Sequence, residues 1–118
     1  MTKITFIGYP KCSTCKKAYN ALKELGIEAK YRDITKENPT KEEILSWVNR
    51  GVDLAKLFNT SGQLYRQLNV KEKRQTYSQE QLIELLASDG MLIKRPVVVS
   101  EDYIIIGNKP KEYELLRK

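Results

Sequence analysis

Lys3-Ile4-Thr5-Phe6-Ile7-Gly8-Tyr9-Pro10-Lys11-Cys12-Ser13-Thr14-Cys15-Lys16-Lys17-Ala18 is the stretch whose reading decides the fold. Residues 3–8 are β-branched and aromatic in the manner of a short strand. Gly8-Tyr9-Pro10-Lys11 reads as a loop. From Ser13 to Leu25 the pattern becomes helical, with Ala18, Ala21, Leu22 and Leu25 on one face. Gly26 stands where a helix-ending glycine belongs. Residues 28–34 then alternate as a second, half-exposed strand. The first 34 residues therefore predict a right-handed β-loop-α-β crossover that begins a sheet.

Downstream the signals change. Thr40 and Glu43 are spaced as a capping box after Pro39, and Gly51 ends the helix they open. Asp53 is placed to cap a short helix through Leu57 and Phe58. Leu64, Tyr65 and Leu68 mark another helical piece, and Ser78 with Gln81 repeats the capping-box pattern before Leu82, Ile83, Leu85 and Leu86. Asp89-Gly90 reads as a turn. Strand signals return in Val97-Val98-Val99 and Tyr103-Ile104-Ile105-Ile106, joined by a Ser100–Asp102 turn as a hairpin. Residues 111–117 predict a terminal helix. The order βαβ, helices, ββα is that of an α/β, thioredoxin-like sheet interrupted by a helical insertion. The expected organisation is one domain over 1–118, with a sheet part at 1–36 and 91–118 and an insertion at about 37–90.

Composition narrows the chemistry. The 118 residues are 41% apolar and 31% charged, a globular balance. There is no histidine, which excludes histidine general bases and every zinc site built on imidazole. Two cysteines cannot form a disulfide scaffold or a four-cysteine zinc site. The net charge of +6 favours anionic partners, or simply reflects a lysine-rich soluble surface. Basic runs stop at two residues and aromatics do not interleave with them, so direct nucleic-acid binding is not expected. No apolar run approaches the ~20 residues of a membrane span, and the start does not read as a signal peptide. The expected location is the cytoplasm, where a cysteine pair more often means reactive chemistry than a structural bridge.

Cys12-Ser13-Thr14-Cys15 lies between the first strand and the first helix. Backbone N–H groups left unsatisfied at a helix start favour a thiolate there and lower its pKa from about 8.5. Lys11, Lys16 and Lys17 add positive charge nearby. Cys12 is thus the candidate nucleophile, and Cys15, one helical turn on, the candidate resolving thiol. The alternative is two buried cysteines acting as small hydrophobes. Arg95-Pro96 enters the Val97 strand, where a proline needs a first-residue position or special geometry. Arg95 is then either a surface residue or the partner of a thiolate, a bound oxyanion or a peptide.

On these residues, with Leu57-Phe58-Asn59-Thr60-Ser61-Gly62 and Asp89-Gly90-Met91-Leu92-Ile93-Lys94-Arg95-Pro96, the chain resembles the family of glutaredoxin-coupled arsenate reductases (ArsC) and Spx-type redox regulators. The likeness covers essentially the whole chain and is closest to an arsenate-reductase-like branch between enzymes and regulators. It implies a thioredoxin-like fold with a cis proline, and it places the enzymes' nucleophilic cysteine on Cys12 and an active-site arginine on Arg95. Two further family arginines fall on Asn59 and near Asn108 or Lys109. Lysine does not reproduce arginine's bidentate fork. Cys15 matches the regulators, which bind the RNA polymerase α subunit through a glycine that falls on Gly51.

The resemblance implies a cytoplasmic thiol-disulfide oxidoreductase with catalytic Cys12, Cys15 and Arg95, supported by Lys11 and Pro96. No bound cofactor is expected; glutathione, another low-molecular-weight thiol or thioredoxin returns the electrons. The expected partner is a small oxidised or oxyanion substrate or a thiol-redox protein, with arsenate turned over weakly or not at all. The alternative is an Spx-like redox-sensing regulator that binds RNA polymerase.

Overall fold

The computed structural model describes residues 4–117. The chain divides into two compact units, Met1–Lys36 with Arg95–Lys118, and Glu37–Lys94.

The first unit is a four-stranded sheet with helices. Strand β1 (Thr5–Gly8) leads into helix α1 (Ser13–Glu24) and returns as strand β2 (Lys30–Asp33), parallel to β1. Strands β3 (Val97–Val99) and β4 (Ile104–Ile106) form the expected hairpin, with β3 antiparallel to β1, giving the order β2-β1-β3-β4. The register aligns Tyr31, Phe6, Val98 and Ile105 in one row across the four strands. Residues in register share a face of the sheet, and this row packs with Cys15, Ala18 and Leu22 of α1. Phe6, Tyr19 and Tyr31 meet at ring-centroid distances of 5.1–5.2 Å, two of the three pairs edge to face. Gly8 lies so close to this cluster that an added Cβ would sit 2.6 Å from the Phe6 ring. Helix α1 ends as read, with Gly26 at φ +76.

Both strands of the crossover are shorter than the sequence suggests. Lys3 lies outside the described residues, Gly8 belongs to β1 rather than to the loop, and β2 starts at Lys30. The terminal helix is α-helical only over Pro110–Tyr113, then tightens to a 3₁₀ turn over Glu114–Leu116. Proline at the first helical turn has no N–H to lose. The Tyr113 hydroxyl, wholly buried, donates to the Gly107 carbonyl at 2.6 Å.

The second unit is helical. The Thr40–Glu43 capping box opens α2 (Lys41–Asn49), with bonds of 3.0 and 3.1 Å, and Gly51 follows at φ +104. Asp53 caps the 3₁₀ turn Leu54–Leu57. Helix α3 is Gln63–Gln67. A further helix, Val70–Thr76, was not separately legible, because Val70 alone is apolar in Val-Lys-Glu-Lys-Arg-Gln-Thr and no 3.6-residue stripe forms. Numbering it α4, helix α5 is Gln79–Ser88, opened by the Ser78–Gln81 capping box. Asp89 caps Met91 at the start of a 3₁₀ turn over Gly90–Leu92. Residues 91–94 hold to this unit through backbone bonds: Asn59 N–H to Leu92 O at 2.8 Å and Lys94 N–H to Leu57 O at 2.7 Å. No helix among the described residues is long and apolar enough to cross a membrane.

The two capping boxes give a direct stability test. Removing an N-cap hydroxyl strands a helix N–H and costs about 1 kcal/mol. Thr40→Ala and Ser78→Ala should each lower the unfolding free energy by that amount, seen as a lower urea midpoint with an unchanged m-value; an unchanged midpoint refutes the role of that cap.

Candidate active site

The site begins where β1 stops. After Gly8 the chain turns through Tyr9–Lys11, and the Cys12 N–H donates to the Tyr9 carbonyl at 2.9 Å. The Cys12 carbonyl then accepts from Lys16 N–H at 3.1 Å, the first bond of α1. Cys12 is therefore the N-cap, in extended backbone (φ −91, ψ 121), and its side chain forms no conventional cap bond. It is half-buried. Cys15, one turn along, has no exposed surface and packs among Phe6, Ala18 and Leu22. Its Sγ accepts from the Tyr9 N–H at 3.5 Å. Both cysteines are free thiols.

The two sulfurs are electrostatically unlike. Burial on its own raises the Cys12 thiol, but it is outweighed by the Cys15 backbone N–H, the Cys15 thiol, the Thr14 N–H and the charge of Arg95. Cys12 consequently lies below its ordinary value. Burial pushes the Cys15 thiol up to about 11; the Tyr9 N–H opposes this, while Cys12 adds to it. One thiol is poised to ionise and the other to keep its proton.

Arg95 stands on a cis peptide bond to Pro96, immediately before β3. It is half-buried, with its guanidinium carbon 5.6 Å from the centroid of the Tyr9 ring. Pro96 is buried and its carbonyl accepts from Gly107 N–H at 2.7 Å, so it opens the β3–β4 ladder as a first residue, where its missing N–H costs nothing. Cys12, Cys15 and Arg95 are thus brought together in the sheet unit. Lys11, Lys16 and Lys17, expected to supply the positive charge, are exposed, and the charge acting on Cys12 is that of Arg95.

Two aromatic residues at the site were missed. Tyr9 holds both cysteines through its backbone and Arg95 through its ring, yet a tyrosine in a loop carries no pattern that would announce this. Tyr31 is pushed up to about 12, first by burial and then by the nearby Cys15 thiol. Its place in the Phe6 row was readable only once the register was known.

The positions matched to the further family arginines carry other side chains. Asn59 belongs to the helical unit, where its side chain reaches the Met91 carbonyl at 3.5 Å and accepts from the Ser61 hydroxyl at 3.3 Å. Asn108 is exposed, and Lys109 pairs with Glu112 at 3.5 Å. Among the described residues, no group of three or more cysteine or carboxylate side chains could hold a metal ion.

Comparison with known proteins identifies the relatives of this chain. The ArsC family model matches residues 7–116. The chain is 46% identical to YusI of Bacillus subtilis over 94% of its own length and 95% of that protein. It is 34% identical to the regulatory protein MgsR of the same organism, over 98% of its length and 91% of that protein. An ArsC family related protein from Bacteroides fragilis has the same fold at a TM-score of 0.93, with 45% identity and 98% of each chain covered. At lower identity the relatives include Spx of Listeria monocytogenes (29%) and an arsenate reductase of Escherichia coli (26%). The thioredoxin-like α/β fold expected from the order of elements therefore holds. A matched model spanning nearly the whole sequence, with close relatives over the same span, makes this chain a member of the ArsC family.

Proposed function

We propose that the protein is a thiol-disulfide oxidoreductase in which Cys12 is the nucleophile and Cys15 the resolving thiol. The observation that carries this reading is the split between a half-buried, acidified Cys12 at the start of α1 and a buried, proton-retaining Cys15 one turn behind it. Only a thiolate attacks a disulfide at a useful rate, and the Cys12 environment shifts the thiol toward that form.

The Cys12 thiolate attacks one sulfur of a substrate disulfide. A Cys12–substrate mixed disulfide forms, and the other half of the substrate leaves as a thiolate that takes a proton from solvent. Cys12 now carries no negative charge, so one of the causes that hold the Cys15 proton is removed. Cys15 attacks the Cys12 sulfur and expels the second substrate thiolate, which leaves with the proton that Cys15 gives up. The substrate has gained two electrons and the protein holds a Cys12–Cys15 disulfide. Glutathione, another low-molecular-weight thiol or thioredoxin then returns two electrons by the same exchange in reverse. Arg95 stabilises the thiolate of Cys12, Pro96 fixes Arg95 at the mouth of β3, and Lys11 offers a diffuse charge to anionic substrates. This chemistry belongs in the reducing cytoplasm.

A second reading is a redox-sensing regulator that uses the same disulfide as a switch and binds the RNA polymerase α subunit. It is favoured by the 34% identity to MgsR over almost the whole chain. Gly51 sits at φ +104 with nothing within 4 Å of an added Cβ, a conformation its helix-ending position already demands. A pull-down with the polymerase α subunit separates the two readings: retention of the oxidised but not the reduced protein supports the regulator, and no retention of either supports the enzyme.

Alkylation tests the nucleophile. In a Cys15→Ser variant the iodoacetamide rate should rise with pH to a midpoint well below about 8.5, since a lowered thiol pKa leaves the reactive form populated at lower pH. A midpoint at or above that value removes Cys12 from the role.

Arsenate tests the substrate class. Charge-assisted hydrogen bonds are worth about 1.5–3 kcal/mol each, so absence of two arginines weakens an arsenate-like transition state by several powers of ten. The protein should reduce a generic disulfide in a Cys12-dependent manner while turning over arsenate weakly or undetectably with any thiol donor. Robust Cys12-dependent arsenate reduction overturns this.

A further inference from the structure

We propose that Tyr9 is a positioning residue, whose ring holds the Arg95 guanidinium in place to act on the Cys12 thiolate. The inference rests on the reading of Cys12 as the nucleophile. Tyr9 occupies the first loop position after β1. Its carbonyl accepts from Cys12 N–H at 2.9 Å and its N–H donates to Cys15 Sγ at 3.5 Å, so its backbone is tied to both cysteines. The Arg95 guanidinium carbon lies 5.6 Å from its ring centroid, within cation–π range.

This arrangement solves a reach problem. Arg95 comes from the opposite end of the chain, at the entry to β3, on a long side chain with many rotamers. Its charge acts on Cys12 only if the head group stays put. A flat, negative ring face fixed to the Cys12 turn supplies a seat of matching shape, because guanidinium is planar and stacks on aromatic rings. Among the described residues, Cys15 from α1 and Tyr31 from β2 are further titratable groups that interact with Cys12, while Lys11, Lys16 and Lys17 are exposed. Arg95 is a cation acting on Cys12, so the part that seats it controls a share of thiolate stability.

The test reads the pH midpoint of iodoacetamide alkylation of Cys12 in the Cys15→Ser background, with circular dichroism confirming the fold. Tyr9→Leu should raise the midpoint and slow alkylation at neutral pH by roughly two- to fivefold, the range expected from a cation–π contact of ordinary strength. Tyr9→Phe keeps the ring face and should retain the midpoint. Arg95→Ala should raise it at least as far, and Tyr9→Leu should then add nothing, because its effect runs through Arg95. Should Tyr9→Leu fail to fold, Tyr9→Trp carries the test: a midpoint held or lowered supports the seat, and a raised one overturns it. A Tyr9→Leu midpoint equal to that of the background, or effects that add in the double variant, also overturns it. Failure of the underlying nucleophile reading is separately visible as an ordinary midpoint before any change at Tyr9.

Discussion

The hydrogen bond from Cys12 N–H to the Tyr9 carbonyl is the constraint on which the site depends. It turns the chain out of β1 and leaves Cys12 as N-cap, so that α1 starts at Ser13. Helix geometry does the rest. Residues three and four apart share a face, so Cys15, Ala18 and Leu22 all point into the core against Phe6. Cys12 lies one turn before Cys15, where the helix has not yet begun and the core gives way to the surface. Two sulfurs are thereby held a turn apart, one inside the protein and one at its rim. A shift of one residue in the start of α1 would rotate this face by about 100° and bury the wrong side chain.

The chemical difference between the sulfurs follows from where helix donors are available. Burial raises both thiols. Only Cys12 stands before the first turn, where the N–H groups of Thr14 and Cys15 have no carbonyl to serve. Cys15 sits inside the helix and receives one N–H from Tyr9, too little to offset its full burial. Arg95 acts on both thiols but leads for neither; desolvation and local donors decide, and Arg95 adjusts the result.

Local punctuation made much of the fold legible in the sequence. Gly26 and Gly51 end their helices in left-handed backbone, and Thr40–Glu43 and Ser78–Gln81 form the reciprocal bonds their spacing predicts. The crossover and the hairpin followed from β-branched runs between such signals. Helix α4 was not separately legible because its residues are nearly all charged or polar, and its N-cap, Asn69, sits at φ +53 without the usual glycine. At the site, Cys12, Cys15 and Arg95 could be named from motif and position. Tyr9 could not, since its role comes from a ring contact with a residue 86 positions away (95 − 9) in the chain. Tertiary proximity of that kind leaves no periodicity to read.

The loop at Asn59 shows why the family likeness separates by chemistry rather than by degree. Asn59 is not an arginine site with the arginine removed. Its amide bridges the Met91 carbonyl and the Ser61 hydroxyl, and its backbone N–H bonds Leu92 at 2.8 Å. Gly62 approaches so closely that an added Cβ would lie 2.7 Å from the Asn59 amide nitrogen. The short side chain is thus built into the turn, and a guanidinium there would have to abandon both bonds. Lys109, at the other substituted position, is engaged with Glu112 and caps the terminal helix at Pro110–Tyr113. Unlike Asn59, the residues Tyr9, Cys12, Thr14, Cys15 and Arg95 all belong to the sheet unit, as Lys109 does. The proposed two-thiol chemistry would therefore draw on groups within one compact unit, whereas an arginine at position 59 would require rebuilding a loop that now serves its own internal hydrogen bonds.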